Sequence, residues 1–381
     1  MATSNTLTGI IPVIYEALNV VSREMIGFIP GVTRDASAAR AALNQTVRSP
    51  VGEAGDLEDI TPGQLPANTG GTTTGYKDVV ITNSKAAPVL WSGEERLSVG
   101  GSYNPILVNQ FTDGMRKLVN AIEADLALTA TTHASRAYGT PGTAPFGTAG
   151  DLSDVAGVLQ ILEDNGAPKS DLQLALNSAA MAKLRGKQSV LFKVNEAGSS
   201  DMLRNGMTDR LQGFALRNSA GPVQHVKGTG ASYLTNSASL AIGDTVIPVD
   251  TGSGTILAGD TISIGADSNE YVVTGALTGG NVTIAEPGLK TAWGNNVAIT
   301  VGNSYTPNIG FARTALILAA RAPALPDGGD MADDRMMITD PFSGLIFEVA
   351  LYRMYRQVKY EIAMAWGTAS VKDEHIALLF G

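Results

Sequence analysis

The sequence predicts an α+β fold with a small all-β, barrel-like module set into a larger host, and three observations predict it. Residues 231 to 302 read as short strands introduced by Gly-Asp turns: Gly243 to Val246, Gly259 to Ile262, Tyr271 to Val273, Val282 to Ile284 and Val297 to Val301. Before this stretch the chain carries helical periodicity, most clearly from Asn104 to about His133. After it the apolar residues run as they do in strands, at Leu345 to Tyr355 and Gln357 to Ala365, the second alternating through Val358, Tyr360, Ile362 and Met364.

In chain order, residues 10 to 29 place Ile14, Leu18, Val21 and Met25 at helical spacing, with Pro12 near the start where a missing N–H costs nothing. This is a short amphipathic helix in an N-terminal arm. The Ala-rich patch Ser37 to Leu43 adds a further turn or two of helix. From residue 46 to about 100, Pro50, Pro62, Pro66, Gly70, Gly71 and Gly75 break any helix, and Tyr76 to Thr82 and Ala87 to Trp91 read as strands. A long hairpin-like extension fits, its strands reaching roughly 33 Å if each has about ten residues. A loop of that length inside a compact domain is unusual, so it is expected to pack on another chain.

The strongest helix follows. Asn104 is its expected cap and Pro105 its first position, and the stripe Leu107, Phe111, Met115, Leu118, Ile122, Leu126 steps by three or four throughout. Leu152 to Asn165 is a second helix, ended by Gly166 and Pro168. Leu172 to Leu176 reads as a strand, Ser178 to Arg185 as a short helix, residues 187 to 210 as polar and mobile, and Arg313 to Ala320 as a strand.

Composition narrows the function. The chain has 381 residues, enough for two or three domains, and is 44% hydrophobic, so global disorder is excluded. There is no cysteine, which removes disulfides, thiolate metal sites and a thiol nucleophile. A net charge of −9 disfavours a nucleic-acid reader, because phosphates demand a basic footprint. No run of 18 apolar residues offers a membrane span, and no secretory signal is expected.

No constellation of catalytic type emerges. His133, His225 and His375 are far apart, and the expected role of each is a surface or helix-end one. The acidic run Asp327, Asp330, Asp333, Asp334 lacks the spacing of a calcium loop. Asp244 and Asp260 recur at the same step of two strands, which turn chemistry explains. Glu94 and Glu95 lie on an expected extended segment, where neighbours face opposite ways, so a shared acid-base site is excluded and a salt bridge with an arginine is the better expectation. No phosphate loop, dinucleotide loop or nucleophile elbow is present. The expectation is therefore a structural protein with no catalytic, cofactor or metal residues.

An arm, a long extended loop, one long helix, a mixed region and a terminal sheet, in that order, resemble the major capsid proteins of tailed bacteriophages, a fold shared with encapsulin shells. Within that family the chain is most similar to the podophage-type coat proteins with an inserted β-rich domain. The supporting residues are the run Leu174 to Leu184, the step Leu211 to Leu216 and the strand start Gly259 to Ile262. The resemblance implies the tailed-phage major capsid fold, divided into an N-terminal arm (1–45), an extended loop (46–101), a spine helix and peripheral domain (102–150), an axial or apical domain (151–230), the inserted β domain (231–302) and the remainder of the axial and peripheral domains (303–381). It implies copies assembling as pentamers and hexamers into an icosahedral virion shell around double-stranded DNA in the host bacterial cytoplasm, with a scaffolding protein and a portal as partners and no membrane. Residues expected at subunit contacts are Ile14, Leu18 and Val21 in the arm, Asp56, Glu58 and Asp59 in the loop, and Glu95 and Arg96 at its base. The alternatives are an encapsulin-like nanocompartment shell and a receptor- or sugar-binding virion protein working through its β insertion.

Overall fold

The computed structural model describes residues 10–24, 27–52, 62–63, 74–148, 151–187 and 210–381. The chain opens with α1 (Ile11–Glu24), β1 (Thr33–Ala41), β2 (Thr46–Gly52), β3 (Thr74–Val80), β4 (Asn83–Ser92), α2 (Gly93–Val99) and α3 (Tyr103–Thr132). It continues through β5 (Arg136–Tyr138), α4 (Ser153–Asp164), β6 (Leu172–Leu176), α5 (Ser178–Lys187), β7 (Arg210–Leu211) and β8 (Phe214–Asn218). The inserted stretch holds β9 (Tyr233–Thr235), β10 (Val246–Asp250), β11 (Thr261–Ile264), β12 (Glu270–Thr278), β13 (Asn281–Ile284) and β14 (Ala298–Val301). The return supplies β15 (Asn308–Ala312), β16 (Leu316–Pro323), β17 (Asp334–Thr339), β18 (Ile346–Met354), β19 (Gln357–Ser370) and β20 (Ile376–Leu379).

The spine is α3, 30 residues and so about 45 Å long. Every residue of its expected stripe is buried, from Leu107 to Leu126. Two further apolar positions, Val119 and Ala130, are buried as well, because the helix is covered on two sides. On one side lies α1, and on the other β4 and β19. Gly114 permits the second contact: a Cβ there would lie 3.2 Å from both Ala87 Cβ and Ile362 Cδ1. Asp125 fixes the register, accepting from Trp366 Nε1 and Asn83 Nδ2 at 2.7 Å each. The helix starts at Tyr103, one residue before the expected cap, because α2 and the 3-10 turn Gly100–Ser102 lead straight into it. Pro105 thus sits third, still in the first turn, where its missing N–H breaks no helical bond.

Beside the spine runs a sheet ordered β1-β16-β19-β18-β17, with β4 on the other edge of β19. Two sequence expectations are corrected here. The patch Ser37 to Leu43 is not helix: β1 takes it through Ala41 and pairs in parallel with β16, from Thr33↔Ile317 to Ala41↔Pro323. Alanine's helix preference is only a few tenths of a kcal/mol per residue over most alternatives, and the ladder groups of β16 need a partner. Nor is β4 an arm of the extension. It pairs with β19 along its whole length, from Asn83↔Trp366 to Ser92↔Gln357. The extension is the ribbon β2–β3 alone, seven-residue strands that bond only to each other. Val79 and Ile81 anchor its root against Ile317, Ala319 and Ala365.

The second sheet carries β7, β8, β6, β15, β20 and β5, with α4 and α5 burying Val155, Val158, Leu162, Met181 and Leu184 against it. The insertion continues this sheet. Its six strands follow the order β11-β14-β9-β10-β13-β12, and β11 pairs back to β12, so they close a barrel. Ile247, Ile264, Val273, Val282 and Ile284 fill its interior. The barrel joins the host through β12 and β5, with Glu270↔Ala137 and Tyr271↔Arg136. An independent module on two linkers is therefore not what forms; the host sheet runs into the barrel wall.

The repeated Gly-Asp step is turn chemistry, as expected. Gly243 and Gly259 take φ of 92° and 89°, where a side chain is strained. Asp244 Oδ2 accepts from Ala241 N and Asp260 Oδ2 from Leu257 N, both at 2.7 Å. Asp260 does more: it is buried, accepts from Gly228 N at 3.1 Å, and pairs with His225 Nε2 at 2.7 Å. It holds the strand entering the barrel against the turn. Removing it strands buried N–H groups, so Asp260→Ala is expected to cost about 2–4 kcal/mol in urea unfolding, and Asp244→Ala at the less buried sister turn about 1 kcal/mol. Equal losses at the two sites would contradict this account.

Candidate assembly surfaces

One buried carboxylate joins three parts of the chain. Glu123, on the buried stripe of α3, accepts from Phe28 N, Ile29 N and Ser219 Oγ, all at 2.8 Å. Ser219 Oγ in turn accepts from Gly221 N at 3.0 Å, and Ser219 N donates to Leu176 O at 3.0 Å. The segment after α1, the spine and the strand end leading toward the barrel meet at one side chain. Glycine is needed around it. A Cβ on Gly27 would lie 2.3 Å from Glu123 Oε2, and one on Gly221 would lie 2.7 Å from Glu123 O. Burial pushes the Glu123 carboxyl above its usual range, and its three donors pull it back only in part. Sequence reasoning missed this residue; the available signal was a carboxylate between Ile122 and Leu126 on an apolar helix face.

The expected contact residues fall into three groups. Ile14, Leu18 and Val21 are fully buried in the chain's own core against α3, so they are not free to meet a neighbour. The arm helix found its apolar partner within the same chain, which corrects the expectation of an exposed arm. Asp56, Glu58 and Asp59 lie outside the described residues. Glu95 and Arg96 lie on helix α2, not on an extended segment. Glu95 closes a capping box with Ser92, accepting from Ser92 N at 2.8 Å while Ser92 Oγ accepts from Glu95 N at 3.1 Å. Those bonds hold its carboxyl below the usual range. Arg96 lies over the Tyr103 ring at 4.9 Å and makes no salt bridge among the described residues.

Charged clusters elsewhere are tied within the chain. In the acidic loop, Asp330 accepts from Tyr352 Oη at 2.7 Å and pairs with Arg335, and Asp333 pairs with Arg353. These are ion pairs along the sheet edge, not a cation cage. Glu348 is buried between Arg40 and Arg335, 2.6 Å from each. The histidines stay apart: His133 pairs with Asp373 at 3.0 Å, His225 with Asp260, and His375 is buried, which holds its imidazole below the ordinary value.

What remains open is apolar surface at the edges. The ribbon exposes Tyr76, and Val80 at its base is also exposed. The turn between β18 and β19 exposes Met354 and Tyr355, and α2 exposes Leu97. Such grouped exposure is the usual mark of a contact surface.

No family model matches the sequence, and no curated protein matches it. Solved structures do. One titled as the capsid structure of the cyanophage P-SCSP1u is 10% identical over 92% of this chain and 86% of that chain, with a TM-score of 0.47. One from Mycobacterium phage Che8 is 14% identical over 88% of this chain and 84% of that chain, with a TM-score of 0.44. A virus-like particle from Pyrococcus furiosus is 12% identical over 97% and 98%, with a TM-score of 0.43. These are likenesses of outline.

Glu123 generates a pH dependence. Because its native pKa is raised, the folded chain holds this proton more tightly than the unfolded chain does. The stability so gained is full below the ordinary carboxylate value of about 4.3 and is lost as pH rises through the native value. Wild type is therefore expected to exceed Glu123→Gln by more at pH 5 than at pH 8, read as urea midpoints. A gap that widens toward pH 8 would reverse the sign.

Proposed function

We propose that this chain is a shell-forming structural protein: a major capsid protein of the tailed-phage type, whose copies tile an icosahedral virion around double-stranded DNA. The observation that carries this reading is the β2–β3 ribbon. It is a two-stranded sheet with no third strand, and a lone hairpin is marginal in water. Its stability has to come from a surface that the same chain does not offer, and a neighbouring copy supplies one. The supporting order of elements is a leading helix, a ribbon, a long spine and a terminal sheet packed on that spine.

In this reading pentamers and hexamers form by many modest contacts summed over a closed lattice. The leading helix acts from within each copy, and the ribbon acts between copies, with Asp56, Glu58, Asp59, Glu95 and Arg96 as its contact residues. A net charge of −9 suits a wall that must not trap the DNA it encloses. A scaffolding protein and a portal are the further partners, assembly takes place in the bacterial cytoplasm, and the chain carries out no reaction. The division into arm, extended loop, spine and peripheral region, axial region and β insertion belongs to the same proposal.

Electron microscopy of the purified, overexpressed protein tests it. Closed shells or capsomers are expected; solitary monomers or trimers at high concentration would sink it. A second variant isolates the ribbon. Replacing residues 49–77 by a two-glycine turn keeps the Arg48–Asp78 pair at the base and leaves the core untouched. Its melting temperature is expected to stay within about 4 °C of wild type, since the change in stability is below about 1 kcal/mol, while particles disappear. Normal particles from this variant would rule the ribbon out as the linking element.

A further inference from the structure

The corner where β18 turns into β19 runs against the composition of the chain. A cleft of about 330 Å³ opens there between α2, the start of α3 and the ends of β4, β18 and β19. Its lining gathers Arg96, Arg353 and Arg356 and includes no carboxylate. The chain as a whole has 36 acidic residues against 27 basic ones. Among the described residues neither Arg96 nor Arg356 has an ion-pair partner; Arg353 shares Asp333.

The cleft is built rather than incidental. Trp91 stands edge-on to Tyr103 at 4.9 Å and donates from Nε1 to Gln110 at 2.7 Å. Arg96 lies over the same Tyr103 ring at 4.9 Å. Gly93 N donates to Arg356 O at 3.2 Å, tying the turn to the start of α2. Beside this fixed aromatic floor, Tyr355 is 91% exposed, Leu97 84% and Met354 52%. A ring of guanidinium groups with apolar shoulders fits a peptide whose carboxylates alternate with apolar side chains.

The chain itself holds such a peptide. Between Arg48 and Lys77 there is no cation, and Glu53, Asp56, Glu58 and Asp59 are interleaved with Leu57 and Ile60. Resting on the assembly reading above, we propose that the cleft receives residues 53–60 of a second copy of this chain, their carboxylates meeting Arg96, Arg353 and Arg356.

The same copy cannot supply the segment. Gly52 lines a cavity with Val371 and Lys372, at the far end of β19, whereas the cleft lies at Gln357 and Val358. Extended chain from Gln357 to Val371 covers about 45 Å. From Gly52 to Asp59 a fully extended chain reaches at most about 25 Å.

The absence of cysteine makes the test clean. A Leu57→Cys preparation is mixed with a Met354→Cys preparation, assembled and oxidised, and the linked dimer is read on a non-reducing gel. Leu57→Cys with Ile242→Cys, an exposed barrel position, sets the background. Linkage well above that background is expected. Adding Arg96→Glu and Arg356→Glu is expected to lower it about tenfold, and adding Asp56→Lys and Glu58→Lys to the Leu57→Cys copy to restore it. Particles seen by microscopy with linkage no higher than background would overturn the cleft assignment and leave the assembly reading standing. No particles from the unmodified chain would overturn both. Linkage unchanged by the arginine reversals, with loss of co-purified nucleic acid instead, would assign the cleft to phosphates and also overturn the proposal.

Discussion

A single carboxylate at the middle of the longest helix governs how the other parts meet. Glu123 satisfies two successive N–H groups of the chain leaving α1 and the hydroxyl of Ser219, with no cation nearby to share its charge. An apolar residue would fit the stripe of α3 but leave those donors unanswered in a buried place, which costs more than the bonds return in water. The same site demands two glycines, because the backbones that it collects come closer than any side chain allows. Position along the spine, entry of the leading segment and approach to the barrel are thereby settled together.

Around that point the core is shared between two kinds of packing. α1 and the sheet grip the spine from two sides, which explains why more of the helix is buried than a single-sided stripe needs. The barrel is held by strand continuity instead: β12 bonds to β5, and Tyr305, whose hydroxyl donates to Gly259 O at 2.6 Å, packs against Phe380 of the host at 5.0 Å. Its position is thus fixed by ladder bonds and aromatic contact rather than by the two connecting strands alone.

The spine, the terminal hairpin and the barrel strands were legible because each repeats its signal over many residues. Six stripe positions on α3 and four alternating positions on β19 outweigh local noise. Ser37 to Leu43 was not legible, since alanine suits both states and only the neighbouring β16 decides. Ile14, Leu18 and Val21 declared an apolar face but not its partner, and the partner proved to be in the same chain. β4 was assigned to the protrusion because its residues alternate in either setting; its ten-residue pairing with β19 is a fact of tertiary structure. Asp244 and Asp260 were readable as turn formers, whereas the deeper role of Asp260 depends on His225 and Gly228, distant in sequence. Glu123 stands alone among apolar neighbours and left no pattern to read.

The closed barrel has a consequence of its own. Because β11 returns to β12, none of its six strands offers a free edge, so a crowded cell full of nascent copies finds no template there for mispairing. The tight Gly279–Gly280 reversal between β12 and β13 faces outward, with both glycines at positive φ and open space around Gly279. That reversal is a natural address for foreign epitopes: a grafted loop there would ride on a rim already sealed on every side.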